Sequence, residues 1–385
     1  MAHPPRLWRI AHAGAVTAVG TSAWQSAASW VGLQKRFRRQ VHPLAGSQAL
    51  TLAACPEIGQ DHGGAARLAC LLGGALADLL ASVDTDAAAA AQPARVVLVL
   101  PDRLGQDACG ALWSATLAEL ARWRGGAPAR GLASAPVLLT QGCSTAGFDA
   151  LHALSETDRP AGPVLLAAAD SLLDTALLRQ ACAEQTVLTD NNPDGFIPGE
   201  AGACLWLQPV PDTGCHDNRH LVLHAPAVAT NPAAHRQTEQ EPQAQALTDA
   251  LRAAMAHAQW QQQHVGYCIS DLDGSRWRAQ VHATARARAA PEMDTIAWEP
   301  CSVTGQVGAA TGPLHWALAA QRLRHDAQGP NAILSWSLSP ATQAAAVALE
   351  RTIRTQAPHG NADPAAGDAD APTVRTFSAR FLNKS

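Results

Sequence analysis

Apolar residues fall into two alternating patterns along the chain. Short continuous runs, such as Val96-Val97-Leu98-Val99-Leu100 and Val164-Leu165-Leu166 with the alanines after it, read as buried strands. Between such runs the spacing turns helical: Leu68, Leu71, Leu72, Leu76 and Leu79 share a face within 65–81, and Leu247, Leu251, Ala254 and Met255 share one within 244–260. The same reading predicts helices over 108–123 and 175–182. It predicts strands at 7–11, 265–270, 295–298, 332–336 and 344–349, with a small-residue turn over 13–20 after the first. This alternation argues for an α/β fold with a largely parallel sheet. The order strand, helix, strand, special turn, helix, strand occurs twice, which predicts duplicated halves over 1–211 and 212–355. Ala, Pro, Gly and Asp dominate 356–373 without apolar periodicity, so 356–385 is expected to be a disordered tail.

The special turn of the first half lies in 138–154, LLTQGCSTAGFDALHAL. An apolar run meets Gly142-Cys143-Ser144, and Phe148, Leu151 and Leu154 then fall on one helical face. Cys143 is thus expected where free helical N–H groups and the positive dipole end converge, the arrangement that lowers a thiol pKa and makes a nucleophile. The competing reading is a small residue kept because the turn is crowded and apolar. His152 stands more than two turns into the helix, which fits packing or capping better than base catalysis.

Composition narrows the function. The net charge of -4 and the single basic cluster Lys35-Arg36-Phe37-Arg38-Arg39, read as a solvated loop, leave no footprint for nucleic acid. Nine scattered cysteines without a CxxC pair point to a reduced, cytoplasmic setting. No apolar run is read as approaching the ~18 residues of a membrane span, so no membrane partner is expected. His264 and His315 lack ligand partners at zinc spacing, and the grouping of Asp271 and Asp273 with Glu200 departs from calcium-loop spacing; it reads as a solvated turn. Neither a metal nor a cofactor is expected. Arg276-Trp277-Arg278 is the most interaction-like triplet, or else a loop edge.

Four stretches, in order, resemble the β-ketoacyl-acyl-carrier-protein synthases of the thiolase-like superfamily. Residues 11–20 (AHAGAVTAVG) resemble the family's opening G-x-G-x-V-T-x-x-G, and Gly142-Cys143-Ser144 with Ala150-Leu151-His152 resembles its nucleophile segment. Residues 166–172 (LAAADSL) and 194–203 (DGFIPGEAGA) are similar to two further family stretches. The resemblance implies a thiolase-like fold, with duplicated halves in a layered αβαβα arrangement. It also implies an acyl-accepting cysteine and two histidines that stabilise the enolate formed when malonyl thioester loses carbon dioxide. Cys143 matches the cysteine, or Ser144 does if Ala150-Leu151-His152 sets the register. Asp271-Leu272-Asp273 stands where the family has H-G-T, and Gln306 stands at the second histidine, with Cys301-Ser302 upstream in place of the family's lysine and serine.

An aspartate beside a developing enolate opposes it, and each lost donor costs on the order of 10²–10³ in rate. Gln306 has two readings: a donor to a thioester carbonyl, or an amide that satisfies turn backbone. The resemblance therefore implies a degenerate member. It would be a homodimeric scaffold or adaptor for a protein partner, such as a synthase subunit or the effector of a bacterial type VI secretion locus. The alternatives are a Cys143-dependent acyltransferase or thioesterase acting on an acyl thioester, and an atypical 3-oxoacyl synthase. The short connector over 189–195 suggests a reshaped cleft.

Overall fold

The computed structural model describes residues 7–45, 48–59, 62–83, 92–124, 126–156, 162–210, 221–231, 243–262, 265–293, 295–326, 329 and 331–351. The expected tail, His264 and Cys215 lie outside the described residues. The first half runs β1 (Trp8–Thr17), α1 (Ala23–Val31), β2 (Arg38–Val41), β3 (Ala49–Leu52), α2 (Gly64–Ala81), β4 (Arg95–Pro101), α3 (Gln106–Arg124), α4 (Gly126–Ser134), β5 (Val137–Gly142), α5 (Ala146–Glu156), β6 (Val164–Ser171), α6 (Thr175–Ala183) and β7 (Glu200–Pro209). The second runs β8 (Leu221–Leu223), β9 (Ala227–Thr230), α7 (Gln245–His257), β10 (Tyr267–Ser270), α8 (Arg276–Ala289), β11 (Ile296–Trp298), α9 (Cys301–Thr304), α10 (Thr311–His325), β12 (Ala332–Leu338) and β13 (Gln343–Arg351).

One hydrogen-bonded ladder carries both halves, in the order β11-β10-β12-β13-β8-β1-β7-β6-β4-β5, with β9 also on β13. Read from either edge inward, the order and the strand directions repeat. The first two pairings are parallel and the next two antiparallel on each side. The halves meet where Trp8 and Arg9 of β1 pair with Leu223 and Val222 of β8.

The alternation of side chains along each strand defines the layers. Val97 and Val99 of β4 share one cluster with Ile333 and Val347 of the second half and with Phe148 and Leu151 of α5 and Leu314 and Trp316 of α10. Val96, Leu98 and Leu100 face the other way, onto α2 and α3. On the far side, Leu334 and Trp336 pack against α7 and α8. Helices therefore cover both outer faces while α5 and α10 lie between the strand layers, which is the αβαβα arrangement of the thiolase-like fold.

Three local readings change. Residues 13–17 are strand and not turn: β1 continues to Thr17, and its residues are small because α2 lies flush on it. A Cβ on Gly14 would come within 2.2 Å of the Ala75 carbonyl oxygen, and one on Gly202 of β7 within 2.2 Å of that of Leu71. The basic cluster ends in the exposed strand β2, where Arg39 pairs with Asp190. Finally, α2 has 18 residues and a mean hydropathy of 1.5, long and apolar enough to cross a membrane by length and composition, contrary to the reading that no run comes close. Its leucines instead fill the core against β1 and β7, with Leu71, Leu72, Leu76 and Leu79 fully buried.

Candidate functional site

Strand β5 delivers Cys143 to a tight turn. A Cβ on Gly142 would stand 3.2 Å from that of Ala146, and the Ala146 N–H donates to the Cys143 carbonyl at 2.9 Å. The start of α5 is then fastened from the second half of the chain. The Thr145 hydroxyl bonds Gln343 Oε1 at 2.7 Å, and Gln343 Nε2 donates to Asp149 Oδ1 at 2.7 Å. Gly147 lets α5 meet α10 closely, because a Cβ there would lie 2.3 Å from Pro313. Cys143 is half-buried, Ser144 is buried, and both line one cavity of about 600 Å³. No hydrogen bond reaches the Cys143 thiol among the described residues.

The facing wall comes from the turn after β10. Asp273 Oδ1 accepts from the Ser275 amide at 3.0 Å and hydroxyl at 2.6 Å, with Gly274 at φ +95° between them. This turn starts α8 and aims Arg278 inward, where its side chain is only 3% exposed. Arg278 Nη1 donates to Asp271 Oδ2 at 2.5 Å and to the Leu338 carbonyl at 2.8 Å, and Nε donates to Asp273 Oδ2 at 3.2 Å. Asp271 also accepts from the Ser337 hydroxyl at 2.6 Å and the Leu338 amide at 2.9 Å. His282 Nε2 stands 3.2 Å from its other oxygen, at ion-pair distance but out of hydrogen-bond alignment. Burial alone would push the Asp271 carboxyl up; Arg278, His282 and Ser337 outweigh it and hold the group well below the usual carboxylate range.

The third wall is the loop from Gly305 into α10. Gln306 Oε1 accepts from the Val307 amide at 2.9 Å and the Thr311 hydroxyl at 3.2 Å, while Nε2 reaches Asp273 Oδ2 at 3.5 Å. Gly308, at φ +52°, leaves room for Asp170, whose Oδ2 a Cβ would meet at 2.0 Å. Asp170 accepts from the Ala309 amide at 2.8 Å and from Arg103 at 2.5 Å; burial nonetheless pushes its carboxyl up.

The structure thus brings Cys143, Gln306 and Asp273 to one cavity and leaves Asp271 behind its wall, in contact through Arg278. The turn holding Asp271 is buried and ion-paired, not solvated. Glu200 does not join it: that carboxylate is held by Arg67 at 2.5 Å, the Ser171 hydroxyl at 2.8 Å and the Cys55 amide at 2.7 Å. Among the described residues no group of His, Cys, Asp or Glu is placed to hold a metal ion. His152 is exposed on α5, neither packed nor capping. The triplet read as an interface or loop edge is the first turn of α8, and its Arg278 lines the candidate site, a place that the sequence did not give it. The available signal was an arginine five residues past Asp273, across a helix start. Chemically, the wall facing the cysteine is a guanidinium held between two carboxylates, with an amide alongside, and no histidine lines the cavity among the described residues.

Neither a family profile nor a curated relative matches the sequence. Solved structures do match in shape. The oxazolomycin ketosynthase domain from Streptomyces albus is similar at a TM-score of 0.68 and 12% identity, over 93% of this chain and 76% of that one. A β-ketoacyl synthase from Burkholderia phymatum is similar at 0.64 and 15% identity, over 90% of this chain and 100% of that one. A ketosynthase solved with its chain length factor, from Xenorhabdus doucetiae, is similar at 0.65 and 15% identity, over 91% and 100%. The chain has the thiolase-like fold of the ketosynthases.

His315 on α10 gives this region a pH signature. It is fully buried, and neither ring nitrogen has a hydrogen-bond partner among the described residues. Burial pushes its pKa from 6.5 down to about 4, with Asp271 opposing only in part. A depressed folded pKa leaves this contribution to stability whole above pH 6.5, and it is lost as the pH falls towards 4 because the unfolded chain takes the proton. The full window is worth about 3 kcal/mol. Denaturant unfolding of wild type and His315→Leu at pH 7 and near pH 4 is expected to show a drop smaller by about 2–3 kcal/mol in the variant. Equal drops would mean that His315 is not held neutral.

Proposed function

We propose that this protein is a ketosynthase-fold scaffold or adaptor that does not perform decarboxylative condensation, and that it keeps the Cys143 cavity as a ligand pocket. The observation that carries the reading is the wall opposite Cys143. Enolate stabilisation needs N–H donors set in surroundings that favour the developing negative charge. Here Gln306 spends its oxygen on turn backbone and turns its amide nitrogen to Asp273, while Asp273 itself lines the cavity with negative charge. Asp271 and Asp273 flank the guanidinium of Arg278, so the cluster keeps a formal charge of -1 beside the cavity.

The chain works as a homodimer of duplicated halves in this reading. Strand β5 leads into Cys143 and ends the sheet among the described residues, where it pairs with β4. Its residues Val137-Leu138-Leu139-Thr140-Gln141-Gly142 are half-buried or exposed and carry no charge, whereas β4 and β6 are almost wholly buried. An uncharged, apolar edge of this kind is a template for a second strand. The partner of the dimer would be a protein: a synthase subunit, as the Xenorhabdus ketosynthase has its chain length factor, or an effector in a type VI secretion setting. No disulfide joins the eight described cysteines, which supports a cytoplasmic setting.

A second reading, Cys143-dependent acyl transfer or thioester hydrolysis, is favoured by one observation: the thiol is accessible at a cavity with apolar walls. Intact mass after incubation with acyl thioesters of several chain lengths separates the two. The scaffold reading expects no adduct; an adduct lost in Cys143→Ala would establish the enzyme instead. For the dimer, light scattering is expected to give twice the chain mass, falling to one chain mass in Val137→Lys. A wild-type protein of one chain mass contradicts it.

A further inference from the structure

We propose that Arg278 is the specificity-determining residue of the Cys143 cavity, offering its free Nη2 to an uncharged carbonyl at the end of an apolar chain and, with its two aspartates, excluding a carboxylate from the same place. The inference rests on the reading that the cavity is kept as a ligand pocket.

Three features converge. The first is an unspent donor. Asp271 and the Leu338 carbonyl take Arg278 Nη1 and Asp273 takes Nε, while Nη2 has no partner among the described residues, on a side chain 3% exposed that lines the cavity. A buried guanidinium keeps its charge and holds its fork rigidly, so an unpaired N–H there is a preorganised donor. The second is the sign of the surroundings. One guanidinium between two carboxylates leaves the cluster a formal charge of -1. Along the whole lining, carboxylate residues outnumber guanidinium residues five to three. A carbonyl oxygen accepts from Nη2 without adding charge, whereas a carboxylate would be a third anion around a single cation with little water to screen it. The third is the shape: Leu172, Leu177, Leu178 and Phe196 line the cavity, and about 600 Å³ is ample for a chain of eight carbons.

Octanamide and octanoate test this directly. They have nearly the same shape, differ in charge, and contain no thioester, so the result is independent of whether Cys143 is ever acylated. Ligand-observed NMR titration of the full chain is expected to show octanamide binding and octanoate binding at least about tenfold more weakly. Arg278→Lys, which keeps the charge but loses the fork, is expected to lose octanamide by a similar factor while unfolding at a temperature close to wild type. Asp273→Asn removes one negative charge and is expected to narrow the gap between the probes by raising octanoate binding. It carries the test alone if Arg278→Lys does not fold. Octanoate binding as tightly as octanamide, a folded Arg278→Lys with unchanged octanamide affinity, or a ratio unmoved by Asp273→Asn would each overturn the assignment. A Cys143 adduct with acyl thioesters would instead overturn the scaffold reading and leave this one standing.

Discussion

A buried cation has to be neutralised where it stands, and the candidate site is arranged around that requirement. Arg278 turns inward from the first turn of α8 and is 3% exposed, a position where an unpaired guanidinium would be prohibitive. Asp271 and Asp273 flank it, one from the end of β10 and one from the following turn. Asp271 then ties the cluster to the end of β12 through Ser337 and Leu338. Removing one partner from such a group typically costs about 3–5 kcal/mol, because the remaining charge stays buried. The same contacts that make the cluster stable suppress protonation of Asp271 and hold it behind the cavity wall.

The fold supplies the other wall with similar economy. Because the two halves repeat one strand order and join edge to edge at β1 and β8, α5 and α10 come to lie in the shared middle layer. Gly147 against Pro313 and the edge-on contact of Phe148 with Trp316, at 5.1 Å, hold these helices together. The segments leading into them carry Cys143 and Gln306 to one cavity. Gln343, bridging Thr145 and Asp149, couples the Cys143 turn to the second half of the chain. Residues from both halves thus meet at one cavity, lined by Cys143, Gln306, Asp273 and Arg278.

Much of the layer structure was legible because long apolar runs and helical leucine spacing carry it: β4, β6, α2 and α7 follow directly from Val96, Val164, Leu68 and Leu247 and their neighbours. What was missed lacked that signal. Helix α4 reads Gly-Ala-Pro-Ala-Arg-Gly, with weak helix formers at its start. The hairpin of β2 and β3 hides behind charged residues, and β1 beyond Ala11 reads as a turn because its small residues answer to α2 across the sheet. In the site, Cys143, Asp271 and Gln306 could be singled out from their turns, but the partnership of Asp271 with Arg278 could not. It depends on where α8 begins and on Ser337 and Leu338, more than sixty positions away, which no local pattern records.

In the proposed reading, the carboxylate–guanidinium cluster of the Cys143 cavity does not stabilise an enolate. The most direct test is the release of labelled carbon dioxide from carboxyl-labelled malonyl thioester, with and without prior incubation with an acyl thioester. Release at the rate of buffer alone is expected in both cases. Release above that rate, abolished in Cys143→Ala, would contradict the reading.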